Sequence, residues 1–199
     1  SGSPGKPKGV AVTHANFCPL VHWGFRELNI GPGERTIRNL SYFFDWSVWE
    51  MFITLTTGAS LYMVPDEVLL DPGVCIDFIT ANDITILHAT PTQYRYIVAQ
   101  ERKLPTLKYL FIGAEKLTHD LAERSFASVN EECRVFNMYG PTEATIISAV
   151  LEIDREEYKD FERLSGIPIG KPAAGLGLFV LDKNERLCPL NVPGELVIA

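Results

Sequence analysis

The stretch ITILHATPTQYRYIVAQERKLPTLKYLFI, residues 84–112, contains one strand, one helix and a second strand in succession. Its two ends, 84–88 and 107–112, are short apolar runs of the kind that form buried strands, whereas 91–101 has apolar residues at helical spacing. A chain that alternates strands and helices in this way builds an α/β sheet with helices packed on its faces. This unit therefore predicts the α/β class.

The same alternation continues on both sides of the unit. The further predicted elements are strands 9–14, 37–43, 59–64 and 134–138 and helices 14–28, 46–56, 72–82 and 118–128. We expect residues 1–145 to form an open sheet with helices on both faces. Residues 146–199 contain the strand-like segments SAVLEI, LGLFVLD and GELVIA, and we expect them to be a β-rich part of the same large domain.

The composition excludes several classes of protein. A length of 199 residues with 46% hydrophobic side chains is enough to bury the core of one domain. The formal net charge of -7 argues against a nucleic-acid surface, which needs clustered Lys and Arg. No apolar run approaches the roughly 18 residues of a membrane span, and no signal peptide opens the chain. The four cysteines are far apart in the sequence, which predicts free thiols and a cytoplasmic location.

Both ends of the chain interrupt a pattern. Ser1 lies inside a glycine-rich loop, and Ala199 directly follows the apolar run GELVI. We therefore expect the chain to be a piece of a larger protein.

The opening segment SGSPGKPKG combines small residues with two lysines, Lys6 and Lys8. Backbone amides in such a loop can surround phosphate oxygens while the lysine side chains add positive charge. The segment is not a Walker A loop, because no Lys-Ser or Lys-Thr closes a GxxxxGK pattern. A surface turn rich in Gly, Pro and Lys is the alternative interpretation.

The segment FFDWSVWEMF, residues 43–52, places the carboxylate of Asp45 among aromatic side chains. A carboxylate in apolar surroundings is costly to desolvate unless a cation or hydrogen-bond donors meet it. If a helix starts here, Asp45 and Trp49 share one face, and a pocket with one anion and aromatic walls suits an α-amino acid. The alternative is that Asp45 only caps the following helix while both tryptophans belong to the core.

The segment NMYGPTE, residues 137–143, ends a predicted strand with a tight Gly-Pro turn and then presents Thr142 and Glu143. Thr142 can donate a hydrogen bond to a phosphate, and Glu143 can ligate Mg²⁺ through oxygen, which that ion prefers. A Thr and a Glu at a helix N-terminus are the alternative. Because ligands of open α/β sheets bind beyond the carboxyl ends of strands, we expect the loops FFDW, HATPT, IGAE and NMYGPTE to share one cleft.

The order of these segments resembles the adenylation domains of nonribosomal peptide synthetases, which belong to the adenylate-forming, AMP-binding superfamily together with acyl-CoA synthetases and luciferases. SGSPGKPKG resembles the phosphate loop of that family, FDWSVWEMF the substrate-pocket motif, NMYGPTE the nucleotide and magnesium motif, and GELVIA the start of a later core motif. The resemblance runs from end to end of the chain. It implies ATP-dependent activation of an α-amino acid as aminoacyl-AMP with release of pyrophosphate.

The same resemblance implies the partners of the reaction. The aminoacyl group would pass to the phosphopantetheine thiol of a peptidyl carrier domain, and a condensation domain would belong to the same parent synthetase. The family's ribose-binding Asp and its C-terminal lobe with a catalytic Lys lie beyond this chain. We therefore expect the fragment alone not to complete the reaction.

By this resemblance, Glu143 would hold Mg²⁺, Thr142 would bind the α-phosphate, and Lys8 would be a further catalytic residue at the departing phosphates. The other residues implied to contact the phosphates are Ser1, Gly2, Ser3, Gly5 and Lys6. The residues implied to lie around the adenine are Gly113, Ala114, Glu115, Asn137, Tyr139 and Gly140. Pro4 departs from the family pattern, which usually has Thr there. Proline removes a hydroxyl group and a backbone donor from the phosphate loop.

Asp45 matches the family position that pairs with the α-ammonium of the substrate, which implies an amino acid instead of an aryl or fatty acid. The rest of the implied pocket wall is Trp46, Trp49, His88, Phe111, Gly113, Met138, Ile146 and Ile147. These side chains leave limited room, and His88 is their main polar group, which favours a small or hydroxylated substrate resembling threonine or serine. His88 could equally be a core histidine bonded to a backbone carbonyl.

Two other functions remain open from the sequence. An acyl-CoA or aryl-acid ligase of the same superfamily would share the ATP chemistry but would have no need of Asp45. A non-catalytic nucleotide-binding or scaffolding segment would be consistent with Pro4 in the phosphate loop.

Overall fold

A computed structural model describes residues 9–173 and 175–199, and this part of the chain contains six α-helices. They are α1 (His14–Glu27), α2 (Trp46–Thr56), α3 (Asp66–Leu70), α4 (Pro72–Ala81), α5 (Pro91–Val98) and α6 (His119–Ser128). Thr13 and Thr90 begin α1 and α5 with capping boxes, in which side chain and backbone exchange hydrogen bonds three residues apart. None of these helices is both long enough and apolar enough to cross a membrane.

The described residues also form nine strands in two sheets. The strands are β1 (Arg35–Arg38), β2 (Ser60–Met63), β3 (Ile86–Ala89), β4 (Tyr109–Gly113), β5 (Arg134–Tyr139), β6 (Ala149–Ile153), β7 (Lys171–Pro172), β8 (Leu178–Leu181) and β9 (Glu195–Ile198). The large sheet has the order β2-β1-β3-β4-β5-β6-β7, in which β1 to β5 are parallel and β6 and β7 antiparallel. Strands β8 and β9 form a separate antiparallel pair.

Helices cover both faces of the large sheet. On strand β4, Leu110 and Ile112 face a core that is shared with α4, α5 and α6. Phe111, between them, faces a second core that is shared with α1 and α2. Every residue of β3 and β4 is buried, as expected for central parallel strands. The predicted α/β class, an open sheet with helices on both faces, is therefore confirmed.

One predicted strand is wrong as a whole. Residues 9–13 are not in a strand. A strand is defined by its ladder of hydrogen bonds, and this segment pairs with no other strand in the described ranges. The alternating side chains of Val10 and Val12 are exposed, so the alternation does not correspond to a buried face.

A second predicted strand, 37–43, ends early. Strand β1 stops at Arg38, because its neighbour β2 ends opposite it at Met63. The next residues turn, with the Phe44 N–H donating to the Ser41 carbonyl oxygen at 2.9 Å. The short helix α3 was not predicted from the sequence.

The β-rich end of the chain is shared between the two sheets. Strand β6 pairs with β5, and β7 pairs with β6, so both extend the large sheet. The charged stretch between them forms a 3-10 helix, Glu157–Arg163. The division of the chain into residues 1–145 and 146–199 stays a prediction.

Candidate active site

A cavity of about 220 Å³ lies at the carboxyl-terminal edge of the parallel strands. Three loops line it: the loop that leads into α2, the loop that follows β4, and the loop that follows β5. The lining residues are Phe44, Asp45, Trp46, Ala114, Met138, Gly140, Pro141, Thr142, Glu143, Ile146 and Ile147. We call this the central cavity. The structure thus brings the FFDW, IGAE and NMYGPTE loops together at the edge where α/β sheets bind ligands.

Asp45 immediately precedes α2, and its half-buried side chain lines the central cavity. Its backbone is already helical, with φ -60° and ψ -28°, and its side chain makes no cap hydrogen bond. None of the ion pairs within the described ranges involves Asp45. The carboxylate therefore does not serve as a side-chain cap, and it is available to a cation in the cavity.

An irregular turn after β5 forms another wall of the cavity. Thr142–Ala144 make one turn of 3-10 helix, and Thr145 and Ile146 then have positive φ values of 62° and 71°. Positive φ strains a β-branched residue, and a 2.8 Å hydrogen bond from the Ile147 N–H to the Thr145 carbonyl closes a γ-turn around Ile146. Gly140 permits this fold, because a Cβ there would lie 2.8 Å from the Ile146 carbonyl carbon.

The indole of Trp46 forms an apolar wall, and Gly113 makes room for it. A Cβ at Gly113 would lie 3.2 Å from Cη2 of Trp46 and 2.6 Å from the carbonyl oxygen of Met138. Gly113 itself does not line the cavity. Its missing side chain lets Trp46, from α2, and Met138, from β5, both approach strand β4 closely at this point.

Three other residues predicted for the pocket wall lie behind it. Trp49, His88 and Phe111 are fully buried and do not line the central cavity. The His88 ring stacks on Phe111 with centroids 4.9 Å apart and meets the Trp46 indole edge to face at 5.9 Å. His88 is a core histidine, as the alternative interpretation had it, but neither of its ring nitrogens has a hydrogen-bond partner in the described part of the chain, so the expected bond to a backbone carbonyl is absent there. Substrate contact by these three residues stays a prediction.

One residue of this region was not predicted from the sequence: Glu50, which lies on α2 and is fully buried. Its Oε1 atom lies 3.7 Å from Nδ1 of His88. Burial raises the pKa of Glu50 to about 8, and the backbone N–H groups of Asn39 and Leu40 and the charge of Arg38 oppose that rise only in part. Burial also lowers the pKa of His88 to about 3. Both side chains are therefore neutral at pH 7.

Glu143 is exposed, and it lines both the central cavity and a neighbouring cavity of about 350 Å³. The ranges 9–173 and 175–199 contain no group of three or more His, Cys, Asp or Glu residues that could hold a metal ion. Mg²⁺ commonly takes one or two carboxylates and completes its shell with water and substrate phosphates. A single exposed carboxylate therefore fits an Mg²⁺ ion that arrives with a nucleotide.

Comparison with known proteins identifies the family. The sequence pattern described as AMP-binding enzyme matches residues 1–199, the whole chain. The chain belongs to the AMP-binding enzyme family. It is 36% identical over 204 residues to a plipastatin synthase from Bacillus subtilis (strain 168) and 35% identical over 199 residues to phosphinothricin tripeptide synthetase PhsB of Streptomyces viridochromogenes. The matches cover 100% and 98% of this chain but only 8% and 16% of those relatives.

Solved structures of this family have the same fold. A four-domain nonribosomal peptide synthetase, holo-AB3403 bound to AMP and glycine, matches with a TM-score of 0.87 and 31% identity over 98% of this chain and 14% of its own. The Vibrio cholerae adenylation domain AlmE, in complex with glycyl-adenosine-5'-phosphate, matches with a TM-score of 0.85 and 28% identity over 98% of this chain and 37% of its own. The predicted resemblance to adenylation domains of nonribosomal peptide synthetases is therefore confirmed.

The residues predicted for nucleotide binding in this member of the AMP-binding enzyme family do not all lie at the central cavity. Ala114, Gly140 and Thr142 line the central cavity. Glu115 instead accepts hydrogen bonds from the backbone N–H and the hydroxyl of Thr92, at 3.2 and 2.5 Å. No residue of the HATPT loop lines the central cavity, so its place in the cleft stays a prediction.

Asn137 and Tyr139 also do not line the central cavity. The side-chain amide of Asn137 donates to the carbonyl oxygens of Ile167 and Pro168 at 3.3 and 2.8 Å. Tyr139 is partly exposed at the end of β5. Contact of either residue with adenine stays a prediction.

The phosphate loop predicted for the AMP-binding family lies outside the described residues. This applies to Ser1, Gly2, Ser3, Gly5, Lys6 and Lys8, and to the departure from the family pattern at Pro4. Their roles stay predictions.

Proposed function

We propose that this chain forms part of an enzyme core that activates an α-amino acid with ATP, giving aminoacyl-AMP and pyrophosphate. The observation that carries the proposal is the position of Asp45, which lines the same small cavity as Thr142 and Glu143. One cavity thus contains a group suited to an ammonium ion and two groups suited to a nucleotide and its metal. Bringing two reactants into one site is a large part of the catalysis of such a reaction. Membership of the AMP-binding enzyme family supports the ATP chemistry.

The surroundings of Asp45 favour an amino acid over other carboxylic acids. Its half-buried carboxylate has apolar neighbours in Trp46 and Ile146 and no ion-pair partner within the described ranges. A substrate ammonium would offset the cost of desolvating this carboxylate through a charge-assisted hydrogen bond. An aryl acid or a fatty acid would leave it unpaired. Glycine and a glycyl adenylate are the ligands named for the two solved relatives.

The reaction requires one anion to attack another. When bound, Mg²⁺ would neutralise the negative charge of the phosphates, and Glu143 is the residue that would hold it. The hydroxyl of Thr142 would donate a hydrogen bond to the α-phosphate. Asp45 would hold the ammonium and so direct the substrate carboxylate towards the α-phosphorus for in-line attack.

The central cavity favours a small side chain on the substrate. Its volume of about 220 Å³ is below the roughly 300–1,000 Å³ of common ligand pockets, and Trp46, Met138, Ile146 and Ile147 are its bulky neighbours. The preference for a hydroxylated substrate depended on His88, which lies behind the Trp46 wall. We therefore propose a small amino acid, with serine and threonine among the candidates.

The proposal extends to the protein that contains this chain. The aminoacyl group would be transferred to the phosphopantetheine of a peptidyl carrier domain, with a condensation domain as a further partner, in the cytoplasm. The relatives that support this are long synthetases, of which the chain spans 8% and 16% in the two examples above.

Exchange of labelled pyrophosphate into ATP, measured on the intact parent protein with a panel of amino acids, tests the function. We expect at least one small α-amino acid to support exchange. Replacing Asp45 by Asn should lower kcat/KM for that amino acid by about 100-fold or more, as expected when one partner of a buried charged pair is removed, while KM for ATP changes little.

The matched control is Asp66→Asn, which neutralises an exposed carboxylate at the start of α3. It should leave both constants unchanged. Activation of aryl or fatty acids that survives Asp45→Asn would indicate the acyl-CoA or aryl-acid ligase instead. Absence of both exchange and ATP binding would favour the non-catalytic segment.

A further inference from the structure

A buried polar pair lies behind the Trp46 wall, and neither member takes part in the chemistry proposed above. Glu50 lies one helical turn after Trp46 on α2, and His88 lies on β3. Glu50 Oε1 and His88 Nδ1 are 3.7 Å apart, and both side chains are 0% exposed. A carboxyl group and an imidazole thus face each other in the buried interior.

The two facing atoms lie just beyond hydrogen-bond distance of each other. Neither ring nitrogen of His88 has a hydrogen-bond partner in the described part of the chain, and a buried polar atom without a partner costs about 1–3 kcal/mol. A gap of 3.7 Å has no room for a bridging water, which would need two hydrogen-bond lengths. A movement of less than about 1 Å brings the atoms to hydrogen-bond distance.

The pair is neutral, which suits such a bond. Glu50 retains its proton at pH 7 because burial raises its pKa, and His88 is uncharged because burial lowers its pKa. The carboxyl group can therefore donate its proton to Nδ1 while Nε2 keeps its hydrogen. The positive charge of Arg38, on β1, lowers the pKa of Glu50 but does not cancel the effect of burial.

Further contacts connect the pair to the loop after β1 and to the cavity wall. Glu50 accepts hydrogen bonds from the backbone N–H groups of Asn39 and Leu40 at 3.4 and 3.5 Å, and the Asn39 amide donates to the His88 carbonyl at 2.6 Å. The His88 ring meets Trp46 edge to face at 5.9 Å. His88 thus contacts a side chain that lines the central cavity.

We propose that Glu50 is a positioning residue for amino-acid selection: its carboxyl group fixes the His88 ring, and that ring fixes the Trp46 indole at the cavity wall. This inference rests on the proposed function. It assigns Glu50 no contact with the substrate. A residue that selects among substrate side chains would thus lie behind the residues that line the cavity.

A double-mutant cycle in the intact parent protein tests this proposal, with Glu50→Met and His88→Leu as the two changes. Each single variant should raise the KM for the amino acid about tenfold, as expected for a loss of about 1.4 kcal/mol, and leave the KM for ATP within about twofold. The double variant should be no worse than either single variant, because both changes remove the same connection.

Two further variants on α2 separate positioning from general damage. Glu50→Gln replaces the O–H donor to Nδ1 with an N–H donor. Its KM for the amino acid should therefore stay within about threefold of the wild-type value. Thr54→Val is the matched control, because Thr54 is also fully buried on α2 but bonds to Thr36 and to the backbone of its own helix. It should leave the amino-acid KM unchanged even where it lowers stability.

Three outcomes would overturn the proposal. Additive effects in the cycle would mean that Glu50 acts only through Asn39 and Leu40, and equal rises in both KM values would mean general damage. If Glu50→Met does not fold, Glu50→Asp, which withdraws the carboxyl group by one methylene, takes its place in the cycle with the same expectations. A wild-type protein that activates no amino acid would contradict both the proposed function and the role of Glu50 in selection. In that case the same cycle, measured in unfolding free energy, would still show whether Glu50 and His88 are paired.

Discussion

At the scale of single residues, three carboxylates near the site have three different environments. Asp45 is half-buried beside apolar walls, Glu143 is exposed at the mouth of two cavities, and Glu50 is enclosed in the core. Desolvation favours the neutral form of a carboxyl group, so the buried Glu50 is the one with a raised pKa. Asp45, just before α2, is thus suited to bind an ammonium ion, whereas Glu50, within α2, is suited to a hydrogen bond as a neutral carboxyl group.

The raised pKa of Glu50 predicts how stability depends on pH. Its pKa is about 8 in the folded protein against 4.5 ordinarily, so its contribution is complete below pH 4.5 and is lost as the pH rises towards 8. Glu50→Gln removes this dependence, and its urea midpoint should gain on the wild type as the pH rises from 6.5 to 8. The difference in unfolding free energy between Glu50→Gln and the wild type should change by at most about 1.4 kcal/mol per pH unit.

His88 has the opposite effect on the pH dependence of stability. Its pKa is lowered from 6.5 to about 3, so its contribution is complete above pH 6.5 and is lost as the pH falls. His88→Leu should therefore gain stability relative to the wild type as the pH falls from 6.5 towards 3, and the difference between the two proteins should not change above pH 6.5. A Glu50→Gln profile parallel to that of the wild type above pH 6.5 would contradict the assignment of a neutral Glu50.

At the scale of elements, the contact between α1 and α2 depends on one glycine. A Cβ at Gly24 of α1 would lie 2.8 Å from Cδ1 of Ile53 and 3.2 Å from Cζ2 of Trp49, both on α2. Ala gains up to about 1 kcal/mol over Gly in helix propensity, but overpacking a dense core costs about 1–3 kcal/mol. We expect Gly24→Ala to be destabilising by about 1 kcal/mol in urea unfolding.

Gly31→Ala is the control for this substitution. A Cβ at Gly31 would meet no atom within 4 Å, so its effect should stay within about 0.5 kcal/mol, as for other surface changes. A stabilised Gly24→Ala variant would mean that α1 can shift away from α2 without loss of packing.

The elements also show which parts of the fold a sequence can predict. The longer helices were predicted from apolar residues at helical spacing, and the structure adds capping boxes at Thr13 and Thr90 where α1 and α5 begin. Strand 37–43 was not predicted correctly, because the end of β1 is set by where β2 ends, at Met63, which no local pattern contains. The loops of the central cavity were predicted from their motifs together with the rule that strand ends form binding sites.

The residues behind the cavity wall were harder to predict. The sequence left His88 open between the substrate and the core, because motif spacing does not distinguish a residue that lines a cavity from one that lies behind the lining. Glu50 was missed, although the sequence held a signal for it. Trp46, Trp49 and Ile53 define the buried face of α2, and Glu50 lies four residues after Trp46 on that face. A lone carboxylate within an apolar helical stripe indicates a buried partner.

At the scale of the whole molecule, the large sheet separates two cores. The core on one face, with α4, α5 and α6, contains Leu110 and no residue of the cavity lining. The core on the other face, with α1 and α2, contains Trp46, Met138, Ile146 and Ile147, which also line the central cavity. Packing changes on the second face should therefore reach the substrate, whereas equal changes on the first should affect only stability.

Two neighbouring residues of β4 allow a matched test of this division. Leu110 and Phe111 are both fully buried, and they point to opposite faces of the sheet. Leu110→Val and Phe111→Leu should each cost about 1 kcal/mol or somewhat more in unfolding free energy, as small core truncations do. Phe111→Leu removes the ring on which His88 stacks at 4.9 Å.

We therefore expect Phe111→Leu to change the ratio of kcat/KM between two amino acids of different size by roughly threefold to tenfold, a range typical of small changes in apolar packing near a site. Leu110→Val should leave that ratio unchanged in pyrophosphate exchange on the intact parent protein. Because the stability losses are similar, partial unfolding cannot account for a difference between the variants. Equal shifts of the ratio in both would mean that the sheet transmits packing changes across its two faces and that the cores are not independent.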